Sequence, residues 1–352
     1  MFKTKMTELF GIKHPIMLAG MNWITDPNLV ATISNAGGLG ILATARYTPD
    51  ELRKSIKEIK SRTDKPFGIN QILLGPGAQE GIKIAIEEKV PVINYALGKP
   101  WFIDQVHAYG GKVLGTTALA KHAVRAEQLG CDAIVITGHE AAAHGADATS
   151  VVLIPTVASS VKIPIIAAGG FYDGRGLAAA LSLGADGISM GTRFMLTKES
   201  VLHENFKQLC LEATEQDTLY DNVFDGMPGR ALKSKGAIAL TQRGFPLTDA
   251  MKGALQIKKM LKLSTPKFIA LSFQMMMAEE DSSPLWVQAR QAAGVPKHLK
   301  GMYEGDKEEG VLFAGQCIGD IHDIPSCAEL IDRVIKEAED AIKKTSAKIQ
   351  AA

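Results

Sequence analysis

The stretch "IPIIAAGGFYDGRGLAAALSLGADGISMGT" (residues 163–192) contains one structural unit twice. Each copy has a short apolar run that ends on glycine, at Gly169-Gly170 and again at Gly191-Thr192, and a segment with helical spacing separates the runs. A short apolar run bounded by glycine is typical of a strand buried on both faces. Strands that alternate with helices favour a parallel sheet covered by helices.

The same unit recurs towards the amino terminus. Six further runs precede the pair at intervals of about twenty to thirty residues: "HPIMLA", "LGILA", "PFGIN", "PVINYA", "KVLGT" and "DAIVIT". One intervening helix, predicted for residues 48–62, begins with a capping Thr48, Pro49 in the first helical position, and Asp50 and Glu51 in its first turn. Eight βα units predict an α/β fold of the (β/α)8 TIM-barrel type, although an open doubly wound sheet is built from the same units.

The alternation stops near residue 205, which predicts three parts. Residues 1–205 form the barrel, residues 206–307 form a smaller, mostly helical domain inserted over the barrel mouth, and residues 308–352 return to the barrel and end in a helix. An extended piece is compatible with "NVFDGMPGRALKS" (residues 222–234). The methionine-rich run "FIALSFQMMMA" (residues 268–278) either lines a cover over the active site or is a buried helix.

Composition excludes several classes of protein. The 352 residues carry 39 basic and 38 acidic side chains, so no nucleic-acid footprint and no anionic membrane surface is indicated. Four dispersed cysteines without a C-x-x-C pair predict reduced thiols and a cytoplasmic location. The first residues lack the apolar core of a signal peptide, and the methionine-rich run is too short to span a bilayer.

The glycine turns after the last two strands predict a phosphate site. In a barrel these strands are neighbours, and the loops at their carboxyl ends often bind phosphate through backbone N–H groups. Glycine lets an anion approach the backbone, and the Thr192 hydroxyl is a further donor. Either turn alone is equally compatible with an ordinary tight βα connection, whereas two in succession favour phosphate.

The loop "GHEAAAHGADATS" (residues 138–150) raises the question of a metal. The zinc-protease signature places its histidines four residues apart on one helical face. His139 and His144 are five apart, which on a helix separates them by about 140°. The alanines between them add no third ligand, so we predict no metal site.

Several motifs resemble one known family. The stretch "AAGGFYDGRGLAAALSLGADGISMGTRF", the G-x-E-A-x-x-H-G pattern of residues 138–145, and the shorter "HPIMLAGM", "NAGGLG", "PFGIN" and "AGQ" are similar to the FMN-dependent nitronate monooxygenases, once called 2-nitropropane dioxygenases. Relatives of that family include NADH:quinone reductases and FMN-type enoyl-acyl-carrier-protein reductases. The resemblance implies a TIM barrel with a smaller helical domain and FMN at the carboxyl ends of the strands. It is weak across the insertion, apart from "RALKS".

The resemblance also implies which residues contact the flavin ring. The backbone of Ala19, Gly20 and Met21 runs beside the ring, and Asn70 bonds to its polar edge. Some quinone-reductase relatives carry a lysine after the fifth strand, where this chain has Thr116, which donates a hydrogen bond to FMN without adding a charge.

The remaining FMN contacts that the resemblance implies lie in the glycine turns and in the tail of the chain. The phosphate falls on the two turns, at Gly169, Gly170, Gly191 and Thr192. The tail closes on the ring system through Ala314, Gly315 and Gln316.

His144 matches the histidine of the family motif, which implies a position beside the reactive edge of the flavin. Imidazole titrates near neutral pH, so it either removes an acidic carbon-bound proton or donates to charge that develops on a nitro, quinone or thioester oxygen. We expect His139 to be a loop residue and Glu140 to brace the loop by accepting backbone N–H bonds.

The sequence therefore predicts an FMN-dependent oxidoreductase. The function favoured by the resemblance is that of a nitronate monooxygenase, which oxidises alkyl nitronates with O2 to carbonyl compounds and nitrite. The alternative is an enzyme in which NAD(P)H reduces FMN, which then reduces a quinone or an enoyl thioester. An FMN-binding barrel without turnover is disfavoured because His144 falls where chemistry would occur. A homodimer is compatible with either enzyme.

Overall fold

Eight parallel strands close into a barrel in the computed structural model, which describes residues 2–75, 77–242, 251, 253–255, 258–259, 264–266 and 285–349. The strands are β1 (Ile16–Leu18), β2 (Gly40–Ala43), β3 (Phe67–Ile72), β4 (Val92–Ala96), β5 (Lys112–Thr117), β6 (Ala133–Thr137), β7 (Ile165–Ala168) and β8 (Gly187–Met190). They pair in the order β1-β8-β7-β6-β5-β4-β3-β2.

The first and second strands complete the ring through a short contact. Met17 and Leu39 form a parallel bridge, and the Leu18 N–H donates to the Leu39 carbonyl at 2.9 Å. An open doubly wound sheet has no such contact between its outer strands. The TIM-barrel prediction is therefore confirmed.

Helices cover the outside of the barrel. After α1 (Lys5–Phe10), which precedes the first strand, they are α2 (Pro27–Asn35), α3 (Pro49–Arg62), α4 (Ala78–Glu87), α5 (Ile103–His107), α6 (Ala120–Gln128), α7 (Ser150–Ala158) and α8 (Gly174–Ser182). The start of α3 is as predicted, because Thr48 and Glu51 each accept a hydrogen bond from the other's backbone N–H, with Pro49 between them. Such reciprocal caps satisfy N–H groups that lack helical partners.

The amino-terminal end of the barrel is plugged. Met6 and Phe10 of α1 pack with inward-facing strand residues such as Met17, Ile41 and Leu114, all of which are buried. The interior is thus a packed core rather than a pore, as is usual for this fold. At the opposite end, where the strands terminate, residues such as Asn70, Thr116 and Ala168 are half-buried; we call this end the mouth.

After β8 the chain leaves the barrel and returns. Its elements are α9 (Thr192–Met195), α10 (Glu204–Leu211), β9 (Thr218–Asp221), β10 (Gly229–Leu232), α11 (Lys235–Thr241), α12 (Leu285–Leu299), a π-helical turn (Lys300–Glu304), a 3-10 turn (Gln316–Asp320) and α13 (Cys327–Ser346). β9 and β10 form an antiparallel hairpin, of which β10 lies within the predicted extended piece (residues 222–234) and β9 precedes it. The methionine-rich run 268–278 lies outside the described residues.

The last helix occupies the place of an eighth barrel helix. α13 packs against α8 and also contacts α2, so it closes the helical ring. At Gly174 the approach is so close that a Cβ atom would lie 2.2 Å from the Ala338 backbone nitrogen. Glycine is therefore needed at this crossing of α8 and α13. Within the described part of the chain, no helix is long and apolar enough to cross a membrane.

Candidate active site

Three polar side chains on adjacent strands form a hydrogen-bonded row at the mouth. The Thr116 hydroxyl donates to Asn94 Oδ1 at 2.9 Å, and Asn94 Nδ2 donates to Asn70 Oδ1, also at 2.9 Å. Asn94 is only 3% exposed, whereas Asn70 and Thr116 are half-buried. The row orients the Asn70 amide so that its Nδ2 donors are left for a ligand. It also engages the Thr116 hydroxyl proton within the barrel, so direct donation from Thr116 to FMN stays a prediction.

The segment after β1 (residues 19–21) contacts both Asn70 and the glycine turn that follows β8. A Cβ atom at Gly20 would lie 2.5 Å from the Asn70 Cβ, so the backbone passes directly over that side chain. Ala19 and Met21 lie beside Gly191, where a Cβ would meet the Ala19 Cβ and the Met21 Sδ at 3.5 Å. The predicted ring contacts and one predicted phosphate turn are therefore neighbours.

The two glycine turns follow β7 and β8 as predicted. Gly169 and Gly170 have φ values of 97° and 80°, in the left-handed region that side chains disfavour. Asp173 caps the following helix α8 by accepting from the Gly176 N–H at 2.9 Å. Thr192 Oγ1 accepts from the Gly315 N–H at 2.9 Å, and this bond does not use the hydroxyl's own proton, which lies beside the Cys317 thiol.

The tail segment (residues 311–316) connects the turns to the loop after β6 (residues 138–149, the β6 loop). Besides bonding to Thr192, Gly315 lies so close to the loop that a Cβ would be 2.9 Å from the Glu140 carbonyl oxygen. The Gln316 N–H donates to that same oxygen at 2.9 Å. Phe313 precedes Gly315 by two residues, and its ring lies 6.0 Å from the His144 ring. The tail thus places His144 and Thr192 on one face of the barrel.

The β6 loop is braced in the way predicted for Glu140 and His139. Glu140 accepts from the Ser150 N–H through both carboxylate oxygens at 3.0 Å, and from the Ser150 hydroxyl at 3.0 Å. The His139 Nδ1 lies 3.0 Å from the Ala146 carbonyl oxygen, and its ring packs against Tyr220 at 4.6 Å. His139 therefore holds the loop, and it has different partners from His144.

His144 is held by the turn between β9 and β10 (residues 222–228, the hairpin turn). Its Nε2 lies 3.0 Å from Asp225 Oδ2, and its Nδ1 lies 3.1 Å from the Pro228 carbonyl oxygen. Burial by itself would lower the pKa of His144, but the Asp225 carboxylate and the Pro228 carbonyl outweigh it and raise the pKa above its ordinary value. The side chain remains 34% exposed, so a substrate at the mouth can reach it.

Sequence reasoning missed three residues of this site. Asn94 sits in an apolar strand and Asp225 in an insertion where the family resemblance is weak. His298 of α12 is 7% exposed, stacks on Phe313 at 4.5 Å and has its pKa lowered by burial. The Asp-Gly and Pro-Gly pairs of the hairpin turn signal a turn, but no local pattern indicates which side chain that turn contacts.

The residues at the mouth fit a phosphorylated flavin. Glycine allows the left-handed turn after β7, and Thr192 and Asn70 offer O–H and N–H donors. The Glu140 carboxylate accepts from the N–H and the hydroxyl of Ser150, so these donors partly offset its negative charge. In the described residues, no group of three or more histidine, cysteine, aspartate or glutamate side chains is placed to hold a metal ion.

The chain is a closed barrel, and its loops bring glycine turns and a histidine together at the mouth. TIM-barrel enzymes have their active sites at this end, so the fold and the site place the chain in that class. Comparison with known families then gives the particular group. The family model described as nitronate monooxygenase matches residues 3–83 and 76–337. The chain belongs to the nitronate monooxygenase family, as its motifs predict.

Individual relatives divide between different substrates. The chain is 40% identical over 349 residues, 98% of its length and 97% of the relative's, to a (3aS,4S,5R,7aS)-5-hydroxy-7a-methyl-1-oxo-octahydro-1H-indene-4-carboxyl-CoA dehydrogenase of Rhodococcus jostii. A probable nitronate monooxygenase of Staphylococcus saprophyticus is 30% identical over 66% of this chain and 79% of its own. The structure of FabK from Thermotoga maritima superposes with a TM-score of 0.80 at 34% identity, over 99% of this chain and all (100%) of that one. The chain is thus an oxidoreductase, and its substrate is a separate question.

Proposed function

We propose that the chain is an FMN-dependent oxidoreductase of acyl thioesters. The observation that carries this proposal is the arrangement of His144, which Asp225 and Pro228 hold at the mouth with a raised pKa. The carbonyl oxygen of a thioester gains negative charge when the neighbouring carbon exchanges a proton. A cationic imidazole suits this reaction because it stabilises that charge. The CoA dehydrogenase of Rhodococcus jostii supports the proposal, since the likeness to it extends over 98% of the chain and includes the insertion.

The reaction interconverts a saturated and an α,β-unsaturated thioester. One hydride leaves or joins the β-carbon and one proton leaves or joins the α-carbon, so that atoms and electrons balance. Bound FMN supplies the hydride chemistry, and NADH or NADPH is the second redox partner. The chain's residues bind and orient: the glycine turns and Thr192 hold the phosphate, the Asn70 amide holds the ring edge, and His144 faces the thioester oxygen.

Nitronate oxidation is the second candidate, favoured by the family model and by the relative from Staphylococcus saprophyticus. A nitronate is an anion, so it too is attracted by a cationic His144. In this case the products are a carbonyl compound and nitrite, and O2 is the co-substrate.

One experiment separates the two candidates. The purified protein, loaded with FMN, is mixed without oxygen with NADH, NADPH, a saturated acyl-CoA and an alkyl nitronate in separate runs, and the flavin absorbance is followed. We expect rapid bleaching by a nicotinamide or by the acyl-CoA, and recovery of the colour when an enoyl-CoA is added to the bleached protein. Bleaching by the nitronate alone would favour the second candidate, and failure to bind FMN would contradict both.

A further inference from the structure

Both ring nitrogens of His144 face hydrogen-bond acceptors. The Pro228 carbonyl oxygen, 3.1 Å from Nδ1, carries no proton under any condition. Asp225 Oδ2, 3.0 Å from Nε2, belongs to a carboxylate, which in its ionised form accepts hydrogen bonds and donates none. Two such contacts are satisfied together when each nitrogen carries a proton, which makes the ring an imidazolium. A base, by contrast, needs a free lone pair on one of these nitrogens.

Asp225 is itself positioned to stay an acceptor. Its second oxygen, Oδ1, accepts from the Met227 N–H at 3.2 Å, and the side chain is 15% exposed. A carboxylate bonded through one oxygen to its own turn and through the other to His144 has a single orientation. Because Asp225 and Pro228 lie in the same short turn, the hairpin turn presents both acceptors to His144 at once.

The surroundings add a second histidine. His298 stacks on the Phe313 ring with the ring centroids 4.5 Å apart, and the His144 ring lies 6.0 Å from the same ring in an edge-type arrangement. His298 Nδ1 lies 3.2 Å from the Val311 carbonyl oxygen, and its buried Nε2 has no hydrogen-bond partner among the described residues. A histidine ring with one hydrogen-bonded nitrogen and one unpartnered nitrogen is satisfied without a charge. The Asp225 carboxylate, whose charge acts on both histidines, makes its contact with His144. Asp225 and His298 are the titratable groups that the hairpin turn and α12 bring towards His144.

We propose that Asp225 is a positioning residue that keeps His144 protonated, so that His144 acts on the substrate oxygen as a cationic donor rather than as a base. The donor atom is Nδ1, because its bond to the backbone carbonyl of Pro228 can be exchanged for a substrate oxygen while Nε2 stays on Asp225. This inference rests on the proposed function, since it assigns His144 to the thioester oxygen.

The test compares Asp225→Asn with a matched control, Asp221→Asn. The first change keeps the shape and the acceptor oxygen of residue 225 but removes its charge. The second removes a charge from the last residue of β9, directly before the hairpin turn, where Asp221 Oδ1 accepts from the Val223 N–H at 3.1 Å. The pKa of His144 is read directly by NMR titration of its ring protons, assigned with His144→Gln. Loss of a carboxylate at this distance lowers a histidine pKa by about one to three pH units.

The dependence of the flavin half-reaction on pH then tells donor from base. A donor is active below its pKa and loses activity as pH rises through it, so Asp225→Asn should move the alkaline loss to lower pH by the amount seen in the titration. A base is active above its pKa, and the same variant would then gain activity on the acid side. Asp225→Glu, which restores the charge, should recover part of the wild-type profile.

The outcomes are separable. The inference is supported if the pKa of His144 falls in Asp225→Asn and the loss of activity at high pH moves to lower pH by the same amount. An unchanged pKa in Asp225→Asn, an equal shift in Asp221→Asn, or a gain of activity on the acid side overturns it. Absence of any reaction with thioesters would overturn the proposed function instead, and the NMR titration would still decide whether Asp225 holds His144 protonated.

Discussion

Replacement of Gly191 by alanine tests the phosphate turn without disturbing the barrel. The backbone at Gly191 has a φ of −106° and a ψ of −75°, which alanine adopts. The added methyl would meet its nearest protein atoms, the Ala19 Cβ and the Met21 Sδ, at 3.5 Å, which is ordinary van der Waals contact. The free energy of unfolding of the FMN-free protein should therefore change by no more than about 0.5 kcal/mol.

The added methyl group should instead weaken the binding of FMN. A methyl group between the turn and an incoming phosphate overpacks a close contact, which typically costs about 1–3 kcal/mol. That free energy corresponds to a roughly 5- to 150-fold rise in the dissociation constant for FMN. The constant is measured by titration of the FMN-free protein followed by flavin fluorescence, and the unfolding free energy by denaturant titration of the same sample.

Gly20→Ala is the matched comparison. Here the added Cβ would lie 2.5 Å from the Asn70 Cβ, so the protein itself must move, and the FMN-free form should lose about 1–3 kcal/mol of stability. If Gly191→Ala binds FMN as tightly as the wild type and its stability is also unchanged, then phosphate does not approach this turn.

Three further predictions concern catalysis, metal and packing. His144→Ala should retain FMN and slow the flavin half-reaction by about 10²- to 10⁴-fold, whereas His139→Ala should do much less; rates within about threefold of wild type for both would remove His144 from the mechanism. Exhaustive dialysis against a chelator should leave the rate unchanged, and stoichiometric metal lost together with activity would contradict this. Gly174→Ala would place a Cβ 2.2 Å from the Ala338 nitrogen, so thermal unfolding should occur at a lower temperature; an unchanged midpoint would show that α13 yields freely.

Local patterns predicted most of the barrel and the position of its site. Short apolar runs and capped helices are decided by neighbours in the sequence, as the Thr48–Glu51 cap of α3 illustrates. A parallel barrel places the carboxyl ends of all its strands at one end. Residues as distant in sequence as Asn70, His144 and Gly191 therefore reach the same mouth once eight βα units are recognised.

The tertiary structure alone decided how that site is completed. The bridge between Met17 and Leu39 closes the sheet, and α13 fills the eighth helical place only because the chain returns from the insertion. Above all, the two ring nitrogens of His144 face Asp225 and the carbonyl oxygen of Pro228, which is 84 residues away. Hydrophobic periodicity reports which face of an element is buried, whereas the partner of one polar side chain depends on the path of a distant loop. The eight βα units and the loop that carries the histidine could thus be read from local patterns, whereas closure of the barrel and the groups that this histidine contacts depend on the folded chain.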